Sequence, residues 1–188
     1  YQESYDELEV IINITGTDDY DNHSISSWNS LKTLKLKGRE RASSRQAEIH
    51  ATGWYTTEVG GDAYPAVRPP RMTITAIGTA DYDVVQRVVT YKDGQVLEKL
   101  IGNCDGRSVT VSSGTYTIQD ARGSSTYSGR QWGGQATTTT WATMKGSEIS
   151  YKPPPGTNKV LFKFNFNVRY LDEDCIIYTR LIIDGSDR

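Results

Sequence analysis

No run of about 18 apolar residues occurs in this chain of 188, so no segment is long enough to cross a bilayer as a helix. Histidine and cysteine are scarce, with two of each. Two thiols cannot complete a four-thiolate zinc site. Cys104 and Cys175 lie far apart and belong to no disulfide-dense pattern. Both are expected to be free or buried, with a single bridge as the alternative. Charge of one sign is missing too: 21 Lys+Arg nearly balance 23 Asp+Glu, for a net charge of −2. Phosphate backbones call for a basic surplus, so nucleic acid is not the expected partner. There is no glycine-rich phosphate loop, because Gly133-Gly134 is followed by neither Lys-Ser/Thr nor a helical pattern. The chain opens at Tyr1-Gln2-Glu3-Ser4, without an initiator Met or a signal-peptide pattern, and reads as a fragment or a processed product.

What is present favours strands. Only 36% of residues are hydrophobic and mean hydropathy is −0.56, yet 12 Tyr and 4 Trp supply large amphipathic packing units. Thr, Ser, Val, Ile and Tyr are common, and apolar residues recur at period two. Leu8, Val10, Ile12 and Ile14 alternate with Glu9, Ile11 and Asn13. Leu31, Thr33, Leu34, Leu36 and Gly38 suggest a second strand, with Lys32, Lys35 and Lys37 mostly on its other side. Ala47, Ile49 and Ala51 suggest a third, and residues 72–78 a fourth. Residues 84–90 and 95–101 flank Lys92-Asp93-Gly94, a hairpin signal. Strands are also expected at 107–112, 115–119, 137–143, 148–151, 159–170 and 175–183, with a surface loop at 121–134. In 159–170, Val160, Phe162, Phe164, Phe166, Val168 and Tyr170 share one face. A one-residue slip would bury Lys163 and Arg169, so register is strongly specified. Ile176-Ile177 and Leu181-Ile182-Ile183 break the alternation and predict a strand covered on both faces, with a neighbouring subunit as the candidate cover. One domain's length holding roughly ten to twelve such strands and no amphipathic helix predicts an all-β, antiparallel sandwich or barrel.

Chemistry is harder to find. His23 and His50 are far apart and stand beside no cysteine. A nucleophilic triad through His50 is possible in principle, but a strand-surface histidine packed on a Trp or Tyr is the expected role. The acidic runs Asp18-Asp19-Tyr20-Asp21 and Asp172-Glu173-Asp174 lack the Asp-x-Asp-x-Asp-Gly spacing of a calcium loop, so no metal or cofactor is expected and both read as solvated turns. Trp54, Tyr55, Tyr127 and Trp132 lie in or beside loops and are the candidate glycan or receptor contacts. Asn13-Ile14-Thr15 and Asn22-His23-Ser24 are glycosylation sequons, at Asn13 and Asn22, the second in a loop.

Several stretches carry a resemblance. Gly94-Gln95-Val96-Leu97-Glu98 leads into Cys104-Asp105-Gly106-Arg107 and Val111-Ser112-Ser113-Gly114-Thr115-Tyr116-Thr117. Gly146-Ser147-Glu148-Ile149-Ser150-Tyr151-Lys152-Pro153-Pro154-Pro155-Gly156-Thr157 and Val160-Leu161-Phe162-Lys163-Phe164 follow. Earlier come Ile25-Ser26-Ser27-Trp28-Asn29-Ser30-Leu31 and Ile74-Thr75-Ala76-Ile77-Gly78. Together they resemble the jelly-roll modules of structural and fibre proteins of aquatic viruses, both large algal viruses and marine phages. Those modules are similar in architecture to the heads of the tumour-necrosis-factor and C1q group. The resemblance implies a jelly-roll β-sandwich and no catalytic residues. It implies a self-assembling subunit of a viral fibre, tail or capsid appendage, or of another extracellular filament, at a virion surface or outside a cell. Its partners would be copies of itself and a host surface glycan, and the alternative is a carbohydrate- or receptor-binding module. In the modules it resembles, the Ser-Gly-Thr-Tyr segment opens the domain. Here the closing half, 1–79, comes first, 80–94 stands where a linker would, and the opening half, 95–188, follows. That order suits a circular permutation, or a tandem array whose halves are completed by neighbours. The second is expected, because about 15 extended residues reach about 50 Å.

Overall fold

All three phenylalanines of the chain stand at alternate positions of one strand, and a strand with every second residue that apolar must have one dry face. The computed structural model describes residues 2–18, 23–42, 47–50, 70–78, 94–121, 135–170 and 176–187, and among these it contains strands and no helix. The phenylalanine strand is β12 (Thr157–Tyr170), and Val160, Phe162, Phe164, Phe166 and Val168 are all buried. Along one edge it pairs antiparallel with β1 (Gln2–Ile14), from Gln2↔Tyr170 to Asn13↔Lys159. Its other edge is shared: β5 (Arg71–Gly78) takes the first part and β4 (Ala47–Ile49) the last three residues. A parallel two-residue strand β2 (Ser24–Ile25) beside β1, β6 (Gln95–Asn103) beside β5, and β9 (Gln135–Ala136) beside β4 complete a seven-stranded sheet.

The second sheet is built on β3 (Lys32–Glu40), whose Leu34, Leu36, Gly38 and Glu40 are buried and whose Lys35, Lys37 and Arg39 are not. Leu31 lies before the strand and is 62% exposed, so it is not part of the apolar face as the sequence suggests. One edge of β3 carries β13 (Ile177–Ile183) and then β14 (Ser186–Asp187). The other carries β10 (Ala142–Thr143) and β11 (Ile149–Tyr151) end to end. In the gap between them the Ser147 hydroxyl takes the place of a strand, accepting from Leu36 N at 3.0 Å and donating to Met144 O at 2.6 Å. Asp184 and Gly185, with φ of +48° and +85°, form the two-residue turn from β13 to β14, a type I′ geometry. The hairpin β7 (Ser108–Val111) and β8 (Gly114–Thr117) stands as a third, small sheet. One hydrophobic cluster joins the inner faces, with Phe162, Phe164, Ile74 and Leu100 from the first sheet and Leu34, Leu36, Leu181 and Tyr151 from the second.

Two expectations change. The Thr-rich run expected as one strand at 137–143 is a crossing between sheets. Thr138 folds back on itself through Thr140 N to Thr138 Oγ1, 3.3 Å, while Thr137 N bonds Ala47 O and Glu40 N bonds Thr138 O. Threonine favours strands, but its hydroxyl also closes turns, and here the turn wins. The triplet Leu181, Ile182 and Ile183 is buried on both faces as its broken alternation predicts, but Ile176, expected to be covered with it, is 42% exposed. Strands of 1–79 and of 95–188 alternate inside the same sheets, as in β1–β12, β3–β13 and β5–β6. Gly78 pairs with Gln95. Tyr1, Arg188 and residues 84–90 lie outside the described residues.

Candidate functional site

The buried reactive groups are held by structure. His50 follows β4 with a left-handed backbone, φ +65°, which turns its ring beneath β12. It is 2% exposed and meets Phe164 and Phe166 edge-on, with centroids 6.1 and 6.5 Å away. It is therefore a core histidine against Phe, and not the strand-surface histidine on Trp or Tyr that the sequence suggests. Its Nε2 hydrogen-bonds the Lys145 carbonyl at 2.7 Å and Nδ1 is buried without a partner. Burial drives its pKa down to about 4, against a smaller upward pull from the Lys145 carbonyl, so the ring is neutral. Cys104 is a free, fully buried thiol; burial, aided by the charges of Asp105 and Asp120, pushes its pKa up to about 12. A thiol that does not ionise is a poor nucleophile. Cys175 lies outside the described residues.

Glu98 is the acid that sequence reading missed. It shares the inward face of β6 with Leu100 and is 6% exposed. Its Oε2 accepts from Ser112 Oγ at 2.5 Å and Ser113 N at 2.7 Å, and its Oε1 from Ser113 Oγ at 2.6 Å and Tyr151 OH at 2.8 Å. Burial works to raise its pKa; the hydrogen bonds from Ser112, Ser113 and Tyr151 outweigh that, and the carboxyl lies below its usual value. The network continues through Tyr116 OH to Lys152 O, 2.7 Å, and Trp28 Nε1 to Tyr151 O, 3.0 Å. It ties β6, the β7–β8 hairpin and β11 together, one strand or hairpin from each sheet. The period-two signal was there, since Glu98 has the parity of Leu100, but its four donors come from distant segments.

The four loop aromatics, Trp54, Tyr55, Tyr127 and Trp132, lie outside the described residues, as does Asn22. Asn13 sits near the end of β1, half-buried and paired with both β12 and β2.

A different aromatic group faces outward on the second sheet. Arg39 lies opposite Tyr178 and Lys37 opposite Arg180. Trp141, just before β10, reaches across. The guanidinium carbon of Arg180 is 4.2 Å and that of Arg39 is 4.8 Å from its ring centroid, and Arg39 is 5.6 Å from the Tyr178 ring. Tyr178 is 43% exposed and the others are half-buried. Lys35 has a long ion pair to Glu148, 3.9 Å. Among the described residues no carboxylate pairs with Lys37 or Arg39. The lysine face of β3 was visible in the sequence; Trp141 and Arg180 join it only through strand pairing.

No family model, no curated protein and no solved structure matches the chain. Its functional reading therefore rests on geometry and on the resemblance of its motifs.

Proposed function

We propose that the chain is a non-catalytic structural module, a β-sandwich of the jelly-roll type, that assembles with copies of itself in a fibre, tail or capsid appendage, or another extracellular filament. The observation that carries this reading is the use made of the groups that elsewhere do chemistry. His50 is neutral under two phenylalanines, Cys104 is an un-ionised buried thiol, and Glu98 has four donors closing its carboxylate. Each rigidifies the sandwich, and none of the three is more than 6% exposed. The self-association rests on a second feature. On the outer face of the seven-stranded sheet Ile11, Leu161, Ile77 and Val96 form a diagonal band over four strands, with Ile11 51% and Val96 53% exposed. Apolar neighbours of this kind stay exposed on a working subunit when another surface covers them. In this reading the module is permuted and closes within one chain, with the contacts between copies made by faces.

Sedimentation across a concentration series, with negative-stain imaging, tests it. Polymers or concentration-dependent growth are expected, reduced in an Ile11→Lys, Val96→Lys double variant. A chain that stays monomeric at every concentration overturns the reading.

A further inference from the structure

We propose that the groove between the β7–β8 hairpin and β11 is a binding site for an uncharged polysaccharide, whose hydroxyls meet Thr115, Thr117, Gln119, Glu148 and Ser150 while Leu31 takes its C–H face. The site is separate from the apolar band and does not depend on self-assembly.

The groove exists because the hairpin joins neither sheet. It is tied to the β11 segment near both ends, by Gln119 N to Glu148 O, 3.3 Å, and by Tyr116 OH to Lys152 O, 2.7 Å. Between these ties β8 and β11 run side by side without pairing, and the open groove they leave holds about 420 Å³. That volume suits a small ligand or one or two units of a chain.

The main-chain groups along the groove are unclaimed. Val111 faces Gly114 across a two-residue turn and Ile118 N bonds Arg107 O, so the hairpin's own bonds fall at Val111–Gly114, Val109–Tyr116 and Arg107–Ile118. The N–H and C=O of Thr115 and Thr117 therefore turn to the groove. On its far side Thr33 gives its N–H to Asp184 Oδ1 and accepts from Asp184 N. Ser150, opposite Thr33, turns its own N–H and C=O to the groove in the same way.

The side chains repeat the pattern. Thr115, Thr117 and Ser150 are exposed, and each hydroxyl meets one other: Thr110 at 2.9 Å, Ser108 at 2.8 Å and Thr33 at 3.2 Å. One proton serves each pair, so the second proton and further lone pairs remain for a ligand. Gln119 Oε1 accepts from Gly146 N at 2.9 Å, which fixes the amide, and its NH₂ has no partner among the described residues. Glu148 is the single charged side chain among the described residues that line the groove, and its carboxylate is steadied by Lys35 at 3.9 Å. Leu31 stands beside them, 62% exposed.

This mixture selects the ligand class. A carboxylate accepts strong hydrogen bonds from hydroxyls and repels an acidic chain. Groups that both give and accept protons match sugar hydroxyls, which do the same. An extended peptide would seek the same main-chain edges, but a strand between two others needs them about 9–10 Å apart, and Cα atoms of β8 and β11 approach within 8 Å.

Affinity electrophoresis tests it, in gels containing dextran, mannan or the β-glucan laminarin, with polygalacturonate as the acidic comparison. Mobility is read against the same protein in a plain gel, so that assembly cancels. At least one neutral polysaccharide is expected to retard the protein, and polygalacturonate is not. Thr115→Val and Thr117→Val together, which keep shape and remove two hydroxyls, should weaken that binding about tenfold. Glu148→Gln should weaken it several-fold. Leu31→Ser, at an exposed position outside the strands, should weaken it without moving the melting temperature. Absence of retardation by all three neutral chains, binding unchanged in the variants, or stronger retardation by polygalacturonate would each overturn the proposal.

Discussion

His50 shows how a single backbone angle decides a side chain's fate. The left-handed φ at the end of β4 takes the ring off the strand's alternation and puts it under Phe164 and Phe166. Its pKa, near 6.5 when unfolded, falls to about 4 in the fold because burial disfavours the cation. The native state thus binds fewer protons than the unfolded one between these values. The stabilisation is complete above pH 6.5 and is lost progressively as pH falls to about 4, worth about 3 kcal/mol over the window. Urea unfolding at stepped pH should show that slope, and His50→Asn, which tolerates positive φ, should flatten it. Glu98 acts lower on the scale. Its carboxyl is held below the unfolded value, so its contribution is present above about pH 4.3 and is lost as pH falls through the folded value. Glu98→Ala leaves the buried Tyr151 hydroxyl and the Ser113 donors without their acceptor, at a cost of about 2–4 kcal/mol in the same assay. A loss under 1 kcal/mol would mean that water replaces the carboxylate.

At the scale of elements, β12 was legible because its signal is local. Alternation over its length places Phe162, Phe164, Phe166 and Val168 in the core without reference to any partner, and all four are buried. Phe164→Ala should cost about 3–5 kcal/mol by denaturant unfolding. The edge of β3 was not legible. Two short strands share it, and Ser147 bridges the break by bonding Leu36 N and Met144 O with its one hydroxyl. No period marks a serine that stands in for backbone. Ser147→Ala, a small change of shape in a fully buried place, should still cost about 1–3 kcal/mol, because Leu36 N loses its acceptor where water does not reach. The 137–143 segment failed for the converse reason. Its composition spoke for a strand, while its two ends are claimed by different sheets, Thr137 through Ala47 and Ala142–Thr143 through Gly38 and Lys37.

For the whole molecule, the interleaving of the two sequence halves should make unfolding a single event to which buried groups report. Cys104 packs where Gly146 passes: Gly146 has φ +79°, and a Cβ there would lie 2.6 Å from Ala121 Cβ and 2.9 Å from Cys104 Cβ. With its pKa raised to about 12 and no exposure, Cys104 should resist alkylation in native buffer. Mass spectrometry of its peptide should show labelling that tracks the global urea transition. Rapid labelling in native buffer would mean that the β6 end opens on its own. Gly146→Ala combines a strained backbone with a clash and should bring labelling and unfolding to lower urea together.

The amino-acid sequence by itself determined that this is an all-strand chain, where most strands run, and which side of β12, β1 and β3 is dry. Those properties follow from side-chain period and turn chemistry within a few residues. Only the tertiary structure decided which strands are neighbours. With that came the interleaving of strands from 1–79 and 95–188, the four donors around Glu98, the core burial of His50 and the stacking of Arg39 and Arg180 on Trp141. Each of these joins residues from separate strands or loops. Hydrogen-bonded pairing across a sheet brings distant segments within 5 Å, and no local pattern states which ones will meet.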